Sequence, residues 1–555
     1  MTINNFVSKI WISKFKFWAF FILLLSFFIY SLITLDFFNF NNTNFQDTFR
    51  EIKSLFSFKS HDPELSKNLW IYNLELLWET IVVVTSATFF SFVFAFLSSV
   101  LSFYRLYKFK LWGAIFRFIC IVLRAFPILL VMTFFDEFII SRAFLAFWIY
   151  FWFTWLWVHR YFVELLDATN LRRYWLSRKL GKGFIYSFYY YVFLVNKNKY
   201  FMNFLFSYES NIRWSAILGS IGIFGIGSLF KNYQSDSSYL GITVLFLMLT
   251  IFSFELILFL FNRFLSSQKG FYKKEQVFSK SLRYNWQKYL FWGFFAIILF
   301  LVIFSFWKIS KLSEGQAIFN AQQFQKSFKT LFSLNFEDVT KNPKIYLVYF
   351  DMLKQSYVAL VFGTLWAIVF AYNASEKISL WFNSLGHKFL LSLIKAVPIL
   401  IFFRLINPLL ATQAAITLAL SISVFRSLVK QIISGINSLS QKQLSSLKKL
   451  YGSKFKMYYN FVLPHLYKLI RGNFIFEIEN TYRNALNYSL FTGIGVYSRI
   501  SYYQKYDNDH YIFAYLFPAF LFFLIIELSL WFIKEKQIFS QLLLPIIRLK
   551  QKQQE

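Results

Sequence analysis

Long apolar runs alternate with short polar stretches along almost the whole chain. A helix needs about 20 apolar residues to cross a bilayer. Runs of this kind cover 17–35, 78–103, 112–135, 143–158, 204–229 and 239–262, then 289–307, 353–373, 389–406, 409–425, 474–496 and 511–533. The pattern predicts an all-α integral membrane protein, with about twelve transmembrane helices in two sets of six. Charges and glycines interrupt 204–229 and 474–496. The first run follows Lys9, Lys14 and Lys16 and leads into Asp36-Phe-Phe-Asn-Phe. That flank has no small-residue cleavage site, so the run is expected to stay as a helix with its N-terminus in the cytoplasm.

The loop charges agree with this layout. Residues 160–200 hold eight Lys/Arg against Glu164 and Asp167. Residues 263–288 hold seven against Glu275, and 426–473 hold nine with no acid. These three stretches are expected on the cytoplasmic side, where basic residues collect. The loop 36–76 holds more acids than bases and is expected outside; 308–350, also expected outside, is mildly basic. Both termini are then cytoplasmic, in the cell membrane. The three basic stretches supply +21 of the net charge of +31, so no nucleic-acid partner is implied.

The two sets of runs repeat each other. Leu123-Arg-Ala-Phe-Pro-Ile-Leu-Leu130 returns about 270 residues later as Ile394-Lys-Ala-Val-Pro-Ile-Leu-Ile401, so Arg124 and Lys395 each precede a proline, Pro127 and Pro398, by three positions. Glu209, Asn211 and Arg213, followed by Gly225 and Gly227, correspond to Glu479 and Arg483, followed by Gly493 and Gly495. Glu79 through Thr88 matches Gln355 through Thr364, and Lys179-Leu180 and Tyr189 through Val192 match Lys449-Leu450 and Tyr459 through Val462. An even number of spans per half makes the repeats parallel, related by an axis along the membrane normal. The expected divisions are an anchor helix and outer loop (1–77), a first module (78–262), a cytoplasmic linker (263–288), a helix and outer loop (289–352), a second module (353–533) and a cytoplasmic tail (534–555).

Little in the chain suggests an enzyme. No phosphate-binding G-x-x-x-x-G-K-[ST] loop occurs. The five histidines show no metal-ligand spacing, His465 reads as a loop residue, and the single Cys120 sits in an apolar run as a small hydrophobe. The costly features are the charges inside apolar runs. Glu209 with Arg213 and Glu479 with Arg483 are spaced i,i+4 on one helix face. Two readings stand for them: internal ion pairs that fix packing, or the lining of a polar path. Arg124 and Lys395 have no acid one turn away, so they and Arg404 must snorkel, pair with another helix or face a water-filled cavity. Such basic groups suit an anionic solute, while Glu209, Glu477 and Glu479 tolerate a cationic one. Gly219, Gly222, Gly225 and Gly227 read either as close packing or as a hinge in a gate. The loops 160–200 and 426–473 each carry a basic amphipathic stretch and then an aromatic run, and read as solvated loops or as short helices that dock a cytoplasmic partner.

On these residues the chain resembles the permease subunits of type I ABC importers, the MetI-like fold, and within them the phosphonate-type branch. The matching motif comprises Arg124, Pro127, Glu209, Asn211, Arg213, Leu218-Gly219, Gly222, Gly225 and Gly227 in the first half, and Lys395, Pro398, Glu479, Arg483, Gly493 and Gly495 in the second. The resemblance covers about 78–262 and 353–533. It also extends to the fused permease of the mycoplasma high-affinity transport system, in which both modules share one chain. It implies a transport subunit rather than an enzyme, with no cofactor of its own and ATP bound by the partner. Two copies of a cytoplasmic ABC ATPase would dock on the coupling loops, and a solute-binding lipoprotein would deliver a phosphonate- or phosphate-type anion. A thiamine phosphate-type solute and an ion-gradient secondary transporter are the alternatives.

The coupling loops depart from the family pattern. Gly181 stands thirteen residues before Leu194, where the family has proline; Leu463-Pro464 is present, but Gly452 lies twelve residues before that proline. The family's Glu-Ala-Ala start is absent from both loops.

Overall fold

The computed structural model describes residues 3–39, 45–62, 67–107, 110–220, 223–233, 236–264, 281–312, 319–493 and 495–552. Most of the expected linker and Gly222 lie outside them. In the first part of the chain the helices are α1 (Ile3–Thr34), α2 (Phe45–Leu55), α3 (Leu69–Ser102), α4 (Lys110–Ala125), α5 (Ile128–Phe138), α6 (Arg142–Asp167), α7 (Arg172–Lys179), α8 (Phe184–Phe188), α9 (Leu194–Ser220), α10 (Leu229–Asn232) and α11 (Leu240–Phe264). The series continues as α12 (Ser281–Leu312), α13 (Ala321–Leu331), α14 (Glu337–Lys341), α15 (Leu347–Ala374), α16 (Trp381–Ala396), α17 (Ile399–Ile406), α18 (Thr412–Ser438), α19 (Gln441–Tyr451), α20 (Lys454–Met457), α21 (Leu463–Thr492), α22 (Val496–Lys505) and α23 (Ile512–Lys552). Among the described residues the strand-like feature is one isolated bridge between Ile139 and Phe319.

Most apolar runs fall on a helix or on a bent helix pair, but 204–229 and 474–496, expected as single spans, leave α9 and α21 and run on into the glycine turns that follow. Among the described residues, five helical stretches are long and apolar enough to cross a membrane: Leu69–Ser102, Ser237–Ile257, Pro343–Ala374, Thr412–Ser438 and Asp509–Phe532. Two more runs, 112–135 and 389–406, were expected as straight spans and are not. The first is α4 and α5 meeting at 84°, the second α16 and α17 meeting at 89°. Proline has no N–H to donate and its ring clashes with the preceding turn, so the helix stops before it and restarts after it. Pro127 and Pro398 cap the second helix of each pair in an extended conformation, with ψ 142° in both. Large apolar side chains point outward, for example Phe20, Ile22, Phe300 and Ile303, each more than half exposed. In water this would be costly; against lipid tails it is the expected surface. The chain is an all-α integral membrane protein.

Two compact units form, each from three separate stretches of chain. One takes 1–74, 229–252 and 344–499; the other takes 75–228, 253–343 and 500–555. In the first, α15, α18, α21 and the turn before α21 share a core of Leu360, Ala367, Val424, Leu428, Ile432, Tyr458, Val462 and Leu466. Gly363 lets α15 approach α18: a Cβ there would lie 2.6 Å from Val424 Cβ. α1 lies against α15, with Phe27 on Phe350 and the Tyr357 hydroxyl donating to the Leu24 carbonyl at 3.0 Å. In the second unit, α3, α6 and α9 are joined by buried polar contacts. The Ser91 hydroxyl donates to the Phe151 carbonyl at 2.9 Å, and the Thr85 and Tyr208 hydroxyls share a bond at 2.6 Å. Such bonds supply part of the association energy that lipid-facing helices cannot obtain from the hydrophobic effect.

Candidate translocation and coupling sites

The duplicated acid–base residues form local ion pairs. Glu209 accepts from Arg213 one turn on, and Arg213 also reaches Glu255 of α11 at 3.6 Å. Glu479 accepts from Arg483 at 2.9 Å. Glu209 and Glu479 are both buried. Between Glu209 and Arg213, Asn211 turns away from the pair. Its amide donates to Thr88 of α3 and Thr154 of α6 at 2.8 Å each. Asn211 therefore pins three helices together.

Arg124 pairs with another helix. Its guanidinium forks onto both oxygens of Glu527 on α23, and Arg160 of α6 donates to the same carboxylate at 3.1 Å. Glu527 is 3% exposed. Arg117 approaches Asp167 at 3.6 Å, and His159 beside it shares a bond with Ser98 at 2.9 Å. Arg117, Arg124, His159, Arg160 and Glu527 line a small open cleft with Glu164 and Trp531. Glu527, Arg160 and Arg117 escaped the sequence reading. One signal was there: Glu527 is the lone acid of the run 511–533, and an intramembrane acid calls for a partner.

The second bend is held in another way. Arg426 of α18 donates to the Ile394 and Val397 carbonyls, the latter at 2.7 Å. A helix broken before proline leaves carbonyls without donors, and a guanidinium can serve two of them. Lys395 lies half-buried in the last turn of α16. Arg404 of α17 donates to the Phe230 carbonyl at 3.3 Å and to the Ser237 hydroxyl at 3.4 Å.

The glycine turn after α9 is tightly packed. A Cβ on Gly219 would fall on the Gly227 backbone, and one on Gly227 would fall on the Ser215 carbonyl. Gly225 has φ +127°, and a Cβ there would lie 2.5 Å from Thr80 Oγ1. The Ile226 N–H donates to that same Thr80 oxygen at 2.8 Å. Gly219, Gly225 and Gly227 are thus closely packed, which is compatible with either reading of these glycines or with both. Gly493 and Gly495 are left-handed, at φ +66° and +81°, but nothing lies within 4 Å of a Cβ on Gly493.

Both long basic loops carry the same succession of elements. A basic helix, α7 or α19, ends near an exposed left-handed glycine: Gly181 at φ +79° or Gly452 at φ +69°. A short helix follows, α8 or α20, and then a five-residue π turn, Tyr189–Phe193 or Tyr458–Val462. The long helix then begins at Leu194 or Leu463. These two leucines occupy the same place in their loops although one follows its glycine by thirteen residues and the other by eleven. Pro464 sits in the first turn of α21, directly after the π turn. Each loop exposes apolar side chains: Leu180 (73%) and Ile185 (81%) in one, Leu450 (76%) and Phe455 (62%) in the other.

The chain resembles known permeases along most of its length. It is 27% identical over 503 residues to the ABC transport system permease protein p69 of Mycoplasma genitalium, covering 86% of this chain and 88% of that protein. It is 26% identical over 488 residues to the protein of the same name from Mycoplasma pneumoniae, covering 85% of this chain and 86% of that one. No family model and no solved structure matches the chain. Similarity that spans both bent pairs and both basic loops concerns the whole architecture rather than one motif.

Proposed function

We propose that this chain is the membrane permease of an ABC importer, with both transmembrane halves on one polypeptide. The observation that carries the reading is the similarity to the p69 permease proteins over nearly the full length of each partner. The two matched loops add physical support. Exposed Leu180, Ile185, Leu450 and Phe455 sit among lysines and arginines, and exposed apolar patches rimmed by polar residues mark docking surfaces. Two copies of a separate ABC ATPase would bind there, one on 160–200 and one on 426–473. ATP binding would move the helices that Gly181, Leu194, Gly452, Leu463 and Pro464 connect to these loops. Glu209, Asn211, Arg213, Glu479 and Arg483, with Arg124 and Lys395, are assigned to the path of the solute. A solute-binding lipoprotein would supply a phosphonate- or phosphate-type anion.

The test is reconstitution. The full chain in proteoliposomes, with a candidate ATPase and binding protein from the same genome, is expected to take up the binding protein's ligand only with ATP. Uptake driven by an ion gradient without ATP would overturn the reading in favour of a secondary transporter. A thiamine phosphate-type ligand on the binding protein would keep the permease and replace the anion.

A further inference from the structure

Glu477 departs from the other buried acids of the long helices. Glu209 has Arg213, Glu479 has Arg483, and Glu527 has Arg124 and Arg160. Glu477, on α21 and 1% exposed, has the Ser427 hydroxyl on one oxygen and the Asn480 amide at 3.4 Å on the other. Ser427 itself accepts from the Gln431 amide at 3.4 Å. These are neutral partners. Two neutral hydrogen bonds return less than a carboxylate loses on leaving water, and a cation normally supplies the difference.

The described charged groups on the packed helices lie or pair elsewhere. On α18, Arg426 donates to the Ile394 and Val397 carbonyls, and Lys430 is exposed. On α15, Lys354 pairs with Asp351 at 2.7 Å. On α21 itself, Glu479 holds Arg483. Among the described residues no ion pair reaches Glu477.

We infer that Glu477 is a proton-binding site: its carboxyl carries a proton while α18 and α21 are packed, and releases it when the contact opens to water. A carboxylic acid needs no counter-charge and keeps its hydrogen bonds to Ser427 and Asn480. Opening lets the carboxylate be hydrated, so the proton leaves to solvent and high pH favours the open arrangement. The site has no counterpart in the first half, where Ser207 stands 270 residues earlier. The inference holds for any transport mechanism, because it rests on burial and partners alone.

Infrared spectroscopy of the purified full chain in lipid nanodiscs decides it. At neutral pH the wild type should show the carbonyl stretch of a protonated carboxyl, above the amide band. Glu477→Gln should abolish that band, and Glu479→Gln should leave it unchanged. Should Glu477→Gln fail to fold, Glu477→Asp and Ser427→Ala should each shift the band rather than remove it. Hydrogen exchange around 474–480, corrected for the intrinsic pH dependence, should rise by up to about tenfold per pH unit from the carboxyl's ordinary pKa to the pH at which it ionises in the packed form and then level off in the wild type, and should stay flat in Glu477→Gln. A band indifferent to all three substitutions at Ser427 and Glu477, or identical exchange profiles in wild type and Glu477→Gln, would overturn the inference.

Discussion

The turns after α9 and α21 share the sequence Gly-Ile-Gly and differ in their surroundings. After α9 the chain folds back so closely that Gly219 and Gly227 meet backbone to backbone, and Thr80 accepts a hydrogen bond from the returning strand of chain. After α21 a Cβ on Gly493 would meet open space. The bends differ likewise. The one at Pro127 is anchored by a carboxylate that gathers two guanidinia, and the one at Pro398 by a guanidinium that gathers two carbonyls. Similar local sequences thus supply a similar backbone path, and the long-range partners decide how firmly it is held.

The strongest way to break this comparison is Glu527→Ala. It leaves Arg124 and Arg160 facing each other without their shared carboxylate and is expected to cost about 3–5 kcal/mol, the usual effect of breaking a buried pair. Thermal unfolding in detergent measures it; an effect as small as that of an exposed pair would show that the anchor is not needed. Arg426→Ala, at the other bend, orphans two carbonyls and is expected to cost about 1–3 kcal/mol by the same measurement.

The two turns separate next. Gly227→Ala forces a Cβ into the Ser215 carbonyl and is expected to cost at least about 3 kcal/mol, the upper range for overpacking. Gly493→Ala meets only the left-handed backbone and should cost about 1 kcal/mol. Equal losses would erase the distinction between the turns. Gly181→Ala and Gly452→Ala, left-handed and open, should each cost about 1 kcal/mol and resemble each other. A loss of ATPase binding at one loop and not the other would reveal inequality between the loops.

The smallest expected effect concerns pH. Asp236, in the loop before α11, is held below the ordinary carboxylate range by hydrogen bonds from Ser238 and by Lys59 at 3.4 Å. The folded form therefore gains stability above the carboxyl's ordinary pKa and loses it as pH falls through the depressed one. Asp236→Asn should flatten this acid limb slightly in a pH series of unfolding temperatures.

Features that lie within one helical turn were legible in sequence. The Glu209–Arg213 and Glu479–Arg483 pairs follow from i,i+4 geometry alone. The breaks before Pro127 and Pro398 were not anticipated, since both runs were expected as single spans, although the prolines' missing N–H explains them. Partners across the chain were not legible. Arg124 finds Glu527 403 residues away, and no local spacing encodes that choice. The equivalence of Leu194 and Leu463 was hidden by a two-residue difference in loop length, and only the shared π turn reveals it.

The interleaving of the two units sets a schedule for biogenesis. Arg124 enters the bilayer early, while its carboxylate partner on α23 is still 403 residues from synthesis. At about 5–20 residues per second that is a wait of roughly 20–80 s. During it the nascent helix must keep a guanidinium in water or in the insertion machinery.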